Sequence, residues 1–348
     1  MAAAETPRAL GYRWPAEWEP HAATWLAWPH KESSWPGKLE RIPPVFVEMV
    51  RALVPGERVE VLVRSADEAR EVGGLLAAAG IDRAGFGLHE IATDDAWIRD
   101  HGPVFVTRGE APRLAAIDWG YNAWGGKYAP WDQDAAVARR VADLVGVRRF
   151  EPGIVLEAGS IEGDGRGTLL TTESCLLNPN RNAGLSRQEI EAKLRENLAV
   201  DTILWLGDGI AGDDTDGHVD DLTRFVAPGV VVTVVEDDPS DENFAALRDN
   251  LVRLEKMRDA RGKTLEVIPL PMPRPLLEGD QRLPASYANF YVGNEVVLVP
   301  TFADPADEKA LAVLARCFPG RRIAGIEARD LVWGLGAFHC LTQQQPKT

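Results

Sequence analysis

The sequence predicts an α/β fold in which one unit of strand, helix and strand is repeated five times. Apolar residues alternate along the chain between extended runs and helical spacing, and this alternation recurs five times. The hydrophobic fraction of 45% is sufficient for a substantial core. No stretch between the repeats has the composition of a linker, so we expect residues 1–348 to form a single domain.

Each predicted repeat contains an amphipathic helix between two strands. The approximate bounds of the repeats are residues 22–64, 104–156, 165–206, 224–270 and 290–327. Apolar residues three and four positions apart predict the five helices and one inserted helix after the first repeat: Phe46, Met49, Val50 and Leu53; Val72, Leu75, Leu76 and Ala79 (inserted); Val137, Val141 and Leu144; Ile190, Leu194 and Leu198; Phe244, Leu247, Leu251 and Leu254; Leu311, Leu314 and Phe318.

Capping residues predict where two of these helices begin. Ser186 and Glu189 have the spacing of a capping box, and Asp304 followed by Pro305 supplies an N-cap and a first helical residue. The second repeat is expected to run from Leu114 to Val155. Extended apolar segments predict the other strands, at residues 22–28, 59–63, 167–177, 202–206, 230–235, 264–270, 295–299 and 322–326.

Reactive side chains follow the last strand of four of the five repeats. In other repeated α/β folds, loops of this kind collect at one face and build the catalytic site. If the repeats are arranged radially, the four loops meet at one centre. These loops span residues 94–100, 156–160, 213–221 and 334–340.

The charge of the chain is strongly acidic. Aspartate and glutamate outnumber lysine and arginine 53 to 38, which gives a net charge of -15 and argues against nucleic acid or an anionic membrane as the main partner. A small cation is the better expectation. Residues 1–20 carry no signal-peptide run, and no span of about 18 apolar residues predicts a membrane helix, so we expect a cytoplasmic enzyme.

The three cysteines are too few and too scattered for a disulfide framework. Cys175 lies among leucines in a predicted strand and Cys317 in the last turn of an apolar helix, so both are expected to be packing residues. Cys340 lies in a glycine-bearing loop before a polar tail. A nucleophilic thiol needs partial exposure and polar neighbours, which makes Cys340 the candidate nucleophile.

His218 is the candidate general acid and base. Asp220 follows two residues later, on the same side of an extended backbone, where its carboxylate would orient the imidazole and raise its pKa. A solvated acidic turn and a loop that binds a divalent metal are the alternatives. The EF-hand spacing fails, because with Gly217 in the sixth position the first and twelfth positions are Gly212 and Thr223.

Residues 207–212 match the glycine fingerprint of dinucleotide-binding folds, but we reject this interpretation. An acidic run follows instead of a helix, so no helix N-terminus is available to receive phosphate. A binding site for a cation is indicated by the combination of Asp100, Glu157 and Trp97. Carboxylates combined with an aromatic face are the pattern expected around a flat cation such as guanidinium.

Seven motifs in this chain resemble the agmatine deiminases, which are part of the wider family of guanidino-group modifying enzymes that includes the peptidylarginine and arginine deiminases. The resemblance extends over nearly the full length. The motifs are residues 11–21 (GYRWPAEWEPH), 95–100 (DAWIRD), 118–126 (DWGYNAWGG), 169–182 (LLTTESCLLNPNRN), 217–220 (GHVD), 285–291 (ASYANFY) and 339–344 (HCLTQQ).

The resemblance implies a five-fold pseudosymmetric α/β propeller, the pentein fold, with the repeats around a central active site. It also implies roles for the candidate site residues. Cys340 is then the nucleophile, His218 the general acid and base, Asp100 and Asp220 the carboxylates that hold the guanidinium, and Glu157 a further acid beside His218, while Trp97 and Trp119 form the pocket walls.

The reaction implied by the resemblance is hydrolytic deimination of agmatine to N-carbamoylputrescine and ammonia, on the route from arginine to putrescine, through a covalent cysteine thiouronium. It needs no metal and no organic cofactor. The implied partner is the cationic guanidino substrate, and a homodimer or homotetramer is expected. The alternatives are peptidyl-arginine or another guanidino compound as substrate, a metal-dependent hydrolase that uses residues 213–221, and a non-catalytic guanidine-binding protein.

The chain departs from the usual family pattern beside the candidate catalytic residues. Leu335, Ala337 and Phe338 stand where glycine, asparagine and isoleucine are usual, Ala158 replaces a glycine and His101 a threonine. The nucleophile and its partners are present, so the departures concern the pocket for the substrate tail. A bulkier Phe338 is expected to narrow or redirect that pocket.

Overall fold

The computed structural model describes residues 5–348. The strands in this part of the chain are β1 (His21–Ala27), β2 (Arg58–Val63), β3 (Phe86–Glu90), β4 (Val104–Thr107), β5 (Leu114–Ile117), β6 (Arg148–Phe150), β7 (Ile161–Gly163), β8 (Thr168–Thr172), β9 (Thr202–Leu206), β10 (Thr223–Ala227), β11 (Val230–Val235), β12 (Glu266–Pro271), β13 (Leu277–Glu278), β14 (Gln281–Arg282), β15 (Tyr291–Val292), β16 (Val296–Thr301), β17 (Arg322–Glu327) and β18 (Gln343–Pro346). The helices are α1 (Ile42–Leu53), α2 (Ala66–Ala78), α3 (Ile98–His101), α4 (Ala123–Gly126), α5 (Val137–Val145), α6 (Glu173–Leu176), α7 (Pro179–Asn182), α8 (Arg187–Leu198), α9 (Phe244–Leu254) and α10 (Ala306–Cys317).

Five small mixed sheets share one pattern of pairing. Their strand orders are β18-β1-β2-β3, β4-β5-β6, β7-β8-β9, β10-β11-β12 and β15-β16-β17. In each sheet the first pair is antiparallel and the second is parallel. Parallel strands need a crossover, and helices α1, α5, α8, α9 and α10 supply one in each sheet. The fold class is therefore α/β, as predicted.

The helices predicted from periodicity are present. Helices α1, α2, α5, α8, α9 and α10 contain the predicted apolar residues, except that Ala79 and Phe318 are the residues directly after α2 and α10. Ser186 and Glu189 form the predicted capping box at α8. Helix α10 begins at Ala306, one residue later than expected, with the Asp304 carboxylate accepting the Ala306 N–H at 2.9 Å.

Several strand predictions need correction. The segment 167–177 is extended only as far as Thr172, where the Thr172 hydroxyl accepts the N–H of Cys175 and starts helix α6. The second repeat returns in β6, whereas Val155 only bridges to Gly120. Strands β3 and β18 extend the first sheet beyond residues 22–64 and were not predicted, nor was the hairpin of β13 and β14.

The apolar faces of the crossover helices are buried against the sheets. Phe46, Met49 and Val50 of α1 are fully buried in the largest apolar cluster. By contrast, Leu75 and Leu144 are 41% and 49% exposed, so the apolar faces of α2 and α5 are narrower than the periodicity predicts. Among residues 5–348, no helix combines the length and hydropathy that a membrane crossing requires.

Candidate active site

Loops from distant parts of the chain meet at one place. The N–H of Gly159 donates to Oδ1 of Asp100 at 3.1 Å, and the N–H of Arg99 donates to the carbonyl of Cys340 at 3.2 Å. These bonds join helix α3, the turn Ala158–Ser160 and the loop before β18. The structure thus brings together five of the predicted site residues: Asp100, Glu157, His218, Asp220 and Cys340.

A cavity of about 270 Å³ opens at this point. Its lining includes Trp97, Asp100 and Cys340. His218, Glu157 and Asp220 are fully buried and are not part of the lining. The predicted residues therefore divide into a group that faces the cavity and a group in the protein interior.

Cys340 is buried beside carboxylates. The residue is only 5% exposed, so the expectation of a partly exposed thiol is wrong. Its Sγ lies 3.5 Å from Oδ2 of Asp220 and accepts the Nδ2–H of Asn289 at 3.0 Å. Burial and the charges of Asp220, Asp221 and Asp100 raise the pKa of Cys340 well above its ordinary value. Without a bound cation, this site favours the neutral thiol.

The loop around Cys340 is held by the side chain of Asn289, for which the sequence predicts no role. Oδ1 of Asn289 accepts the N–H groups of Ala337, His339 and Cys340 at 3.2, 3.1 and 3.3 Å. Asn289 lies in the motif 285–291, but the motif gave no indication of this contact. Its amide fixes the nucleophile loop and places a hydrogen-bond donor on the sulfur.

The loop that carries His218 is closed by the carboxylate of Asp213. Its Oδ2 accepts the N–H groups of Gly217 and His218 at 3.0 and 3.2 Å, and its Oδ1 accepts the N–H of Thr215 at 2.7 Å. Gly217 has φ +100°, and a Cβ there would collide with Oγ of Ser174 and lie 3.0 Å from the backbone nitrogen of Gly209, so glycine is required. This acidic residue stabilises the loop.

The imidazole of His218 lies between two carboxylates, Glu157, which the resemblance places beside it, and Asp100, which stands where the spacing predicted Asp220. Its Nδ1 is 3.8 Å from Oδ1 of Asp100 and its Nε2 is 3.8 Å from Oε2 of Glu157. Burial lowers the pKa of His218, but the charge of Asp100 and the neighbouring Cys175 and Glu157 outweigh burial and raise it well above its ordinary value. The imidazolium form is therefore favoured.

Asp220 does not orient His218, which corrects the prediction from the spacing of two residues. Residues Val219–Asp221 form a helical turn, so the two side chains do not share one face of an extended backbone. Oδ2 of Asp220 instead accepts Nδ1–H of His339 at 2.6 Å, and Oδ1 is buried without a hydrogen-bond partner among residues 5–348. Burial raises the pKa of Asp220, but the bond from His339 and its charge lower it overall, which keeps the carboxylate ionised.

The other two carboxylates are held differently. Oδ2 of Asp100 accepts the indole N–H of Trp124 at 3.0 Å, and burial raises the pKa of Asp100. Oε1 of Glu157 accepts Nε–H of Arg181 at 2.8 Å, while Oε2 has no hydrogen-bond partner. Burial raises the pKa of Glu157, but His218 and Arg181 outweigh burial and lower it.

The aromatic walls of the cavity are partly those predicted. Trp97 lines it and packs against Trp35 with ring centroids 5.3 Å apart. The prediction that Trp119 is a wall is wrong, because this ring lies in a separate apolar cluster and does not line the cavity. Trp124, from the same motif, lines it instead and was not predicted.

Of the three departures in the nucleophile loop, only Leu335 lines the cavity. It has φ +70°, a left-handed backbone that a leucine rarely adopts. Phe338 is fully buried in the large apolar cluster and Ala337 is buried beneath the loop. The expectation that Phe338 narrows the pocket is therefore wrong.

One group of side chains offers metal-ligand atoms close together within residues 5–348. Atoms of Glu157, Cys175 and His218 lie within 4.8 Å of one another. Arg181, which is bonded to Glu157, places a fixed positive charge beside them and disfavours a cation. Cys175, predicted to pack in a strand, lies in helix α6 next to His218.

The α/β fold places a buried thiol, an imidazolium and three carboxylates at and behind one cavity, and these are the groups of an enzyme that uses a cysteine nucleophile on a cationic substrate. The chain belongs to the Porphyromonas-type peptidyl-arginine deiminase family, whose model matches residues 13–346.

Individual relatives are similar over the whole chain. The agmatine deiminase of Ectopseudomonas mendocina is 42% identical, over 98% of this chain and 97% of its own length. Among solved structures, an agmatine deiminase of Enterococcus faecalis is 35% identical with a TM-score of 0.92, covering 100% of this chain and 99% of that one. An agmatine deiminase of C. jejuni with substrate bound is 30% identical with a TM-score of 0.88, covering 97% and 96%.

Proposed function

We propose that this protein hydrolyses agmatine to N-carbamoylputrescine and ammonia. One observation carries the proposal: among residues 5–348, two carboxylate oxygens of the site are buried without hydrogen-bond partners. These atoms are Oδ1 of Asp220, whose Oδ2 lies 3.5 Å from the sulfur of Cys340, and Oε2 of Glu157. Buried polar atoms are rarely left unpaired, so their presence indicates a ligand that donates hydrogen bonds and carries positive charge. A guanidinium meets both requirements.

Asp100 and Asp220 are proposed to hold the planar guanidinium. Asp100 lines the cavity, and Asp220 lies behind it against Cys340, which does line the cavity. A bidentate guanidinium–carboxylate pair fixes both distance and orientation. The two carboxylates belong to loops about 120 residues apart in the chain. Binding would therefore place the guanidinium carbon next to the sulfur of Cys340.

Substrate binding is proposed to create the thiolate. The negative charges that raise the pKa of Cys340 are compensated when the guanidinium lies between them, so the thiol loses its proton to solvent. The nucleophile is then reactive only when a cation occupies the site. This order protects the thiol from side reactions in the empty enzyme.

The first chemical half forms a bond from Cys340 Sγ to the guanidinium carbon. The imidazolium of His218 gives its proton to the leaving nitrogen, the C–N bond breaks and ammonia departs. The product of this half is an S-alkylthiouronium on Cys340. The raised pKa of His218 supplies the protonated form that this step needs.

In the second half, the now neutral His218 accepts a proton from water as its oxygen attacks the thiouronium carbon. The S–C bond then breaks, the thiolate of Cys340 is restored, and the hydroxyl proton of the adduct passes to solvent as the neutral ureido product leaves. Glu157 is proposed to stabilise the imidazolium that forms again. Substrate and one water thus give ureido product and ammonia, and no electron is transferred.

The charges around the cavity favour a substrate whose tail is cationic. Lys31 is paired with Asp95 at 3.3 Å, which leaves Asp214 and Asp100 as the remaining charged groups of the lining. A carboxylate on the tail, as in free arginine, would meet net negative charge. The primary ammonium of agmatine would be attracted by the same charge, which supports agmatine over free arginine.

We further propose that the five sheets surround the site as a five-fold pseudosymmetric propeller. Neighbouring sheets touch through β18 and β4 and through β7 and β10, and the loops of the site come from different sheets. The cytoplasmic location and the homodimer or homotetramer stay predictions.

The test is ammonia release from agmatine, free arginine, a blocked peptidyl-arginine and shorter guanidino compounds, each with and without chelator. We expect chelator-resistant turnover that is greatest for agmatine, lost in Cys340→Ser and kept in the matched control Cys317→Ser, at the end of α10. Turnover of peptidyl-arginine alone would transfer the proposal to that substrate. Chelator-sensitive turnover would favour a metal-dependent hydrolase, and agmatine binding without ammonia release a binding protein.

A further inference from the structure

A second buried histidine lies directly behind the site. The imidazole of His339, a residue that is 1% exposed, has a carboxylate at each ring nitrogen. Its Nδ1 is 2.6 Å from Oδ2 of Asp220, and its Nε2 is 2.9 Å from Oε2 of Glu17. The ring thus connects an interior glutamate to a carboxylate proposed to bind the substrate.

Both nitrogens of His339 must donate. An ionised carboxylate can only accept a hydrogen bond, and a neutral imidazole has one donor, so two carboxylate partners require the doubly protonated ring. Burial raises the pKa of Glu17, but Arg224, His339 and Arg99 outweigh burial and hold it well below its ordinary value. Asp220 is likewise held ionised.

Glu17 is itself fixed from several sides. Its Oε1 accepts hydrogen bonds from Arg224 and from the N–H of Val292, both at 2.9 Å, and its Oε2 accepts one from Arg99 at 3.2 Å. Arg224 is also bonded to Glu162 at 2.9 Å. Glu17 therefore holds the ring of His339 in one position, and the ring in turn fixes the position of Asp220.

We propose that His339 is a positioning residue for the deimination, a cationic ring that saturates Oδ2 of Asp220 and directs the free Oδ1 towards the guanidinium. The inference rests on the proposed function. Two effects follow from the contact. Asp220 is held in one rotamer, and it remains ionised although it lies beside Cys340 and two further acidic residues.

Several charged or titratable groups surround this pair. The neighbours of Asp220 are His339, Cys340, His218, Arg224, Asp221 and Asp100, and those of His339 are Asp220, Glu17, Arg99, Arg224 and Glu162. Since His339 is the only residue in the described part of the chain that hydrogen-bonds both Asp220 and Glu17, removing its charge acts on Asp220 more directly than removing any other member of the network.

The test compares His339→Gln with the matched control Glu162→Gln. Glutamine keeps one donor but loses the charge, so the pKa of Asp220 rises and the acid limb of kcat/KM for agmatine moves to higher pH by about one unit or more. We expect KM to rise more than kcat falls. Glu162 belongs to the same buried network but makes no hydrogen bond to His339, so its variant tests general disruption.

The outcomes separate the possibilities. A shift of the acid limb in His339→Gln with none in Glu162→Gln supports positioning. An unmoved limb in a folded His339→Gln, or equal shifts in both variants, overturns it. If His339→Gln does not fold, ¹⁵N NMR of the six histidine rings in the unmodified protein decides, because a ring that donates to both carboxylates must show two protonated nitrogens, and a ring with one would overturn the inference. Failure of the proposed function appears separately, as a wild-type protein that does not turn over agmatine.

Discussion

The sulfur of Cys340 lies 3.5 Å from Oδ2 of Asp220, so the nucleophile and an ionised carboxylate are in contact. A thiolate formed there would face a like charge in a buried environment, which is unfavourable. The same carboxylate attracts a guanidinium. The contact therefore links the activation of the thiol to the arrival of a cation.

This contact predicts that Asp220→Asn separates thiol reactivity from turnover. Removing the negative charge lowers the pKa of Cys340, so a larger fraction is thiolate at neutral pH and iodoacetamide alkylates it about tenfold faster or more. Deimination of agmatine falls by about a hundredfold or more, because the guanidinium loses a carboxylate. The control variant Asp237→Asn, at an exposed position, should change neither the rate of alkylation nor the rate of deimination. Slower alkylation in Asp220→Asn would contradict the electrostatic account of the thiol.

Gly159 is predicted to be essential for the geometry of His218. A Cβ at this position would lie 2.6 Å from Nδ1 of His218 and 2.7 Å from Oδ1 of Asp100, so at least one of these two buried side chains would have to shift. Gly159→Ala should lower kcat/KM by about a hundredfold, since small misplacements at a reacting centre have effects of that order. The measurement is steady-state kinetics beside thermal unfolding.

The matched control for this glycine is Gly184→Ala. No atom lies within 4 Å of a Cβ at position 184, and its φ is not in the left-handed region. Wild-type kinetics are expected for Gly184→Ala. If Gly159→Ala keeps full activity, the spacing between Asp100 and His218 is not critical.

Much of the fold could be predicted because an amphipathic helix is recognisable from apolar residues spaced three and four positions apart. The strands that were missed are short or polar. β18 (Gln343–Pro346) is a row of glutamines and a proline, and it is a strand because it pairs with the apolar β1. No local pattern in its own residues indicates that pairing.

The sequence predicts which residues form the site, but it does not predict which of them contact one another. Asp220 was assigned to His218 by spacing, but a turn at Val219–Asp221 rotates it towards His339. Asn289 and Trp124 lie in recognised motifs, yet their partners come from loops more than 20 residues away in the chain. Such pairings depend on how the sheets assemble, and periodicity carries no information about that.

We predict that ionisation of Asp134 lowers the free energy of unfolding as the pH rises. Burial is the main cause that raises its pKa to about 7, although its Oδ1 accepts the N–H groups of Asp94 and Asp95. Because the folded-state pKa is above the unfolded one, this carboxyl contributes stability fully below about pH 4, and the contribution is lost as the pH rises to about 7.

Asp134→Asn keeps the acceptor and removes the ionisation. The free energy of unfolding of this variant should exceed that of the wild type by an amount that grows between about pH 4 and about pH 7. Urea unfolding at several pH values measures this. The exposed neighbour variant Asp132→Asn should show no such growth, and a constant difference for Asp134→Asn would contradict the assignment.

Leu335 is predicted to restrict which guanidino compounds enter. It lines the cavity from a backbone with φ +70°, which is unfavourable for a leucine by about 1–2 kcal/mol. Leu335→Gly relieves that strain but makes the unfolded chain more flexible, so its stability should stay within about 1 kcal/mol of wild type. The cavity becomes wider, and turnover of blocked peptidyl-arginine relative to agmatine should rise several-fold. Ala303→Gly, at φ +53° and outside the cavity lining, gives the same backbone change and should leave the ratio unaltered. An unchanged ratio in Leu335→Gly would show that the leucine does not limit the size of the substrate tail.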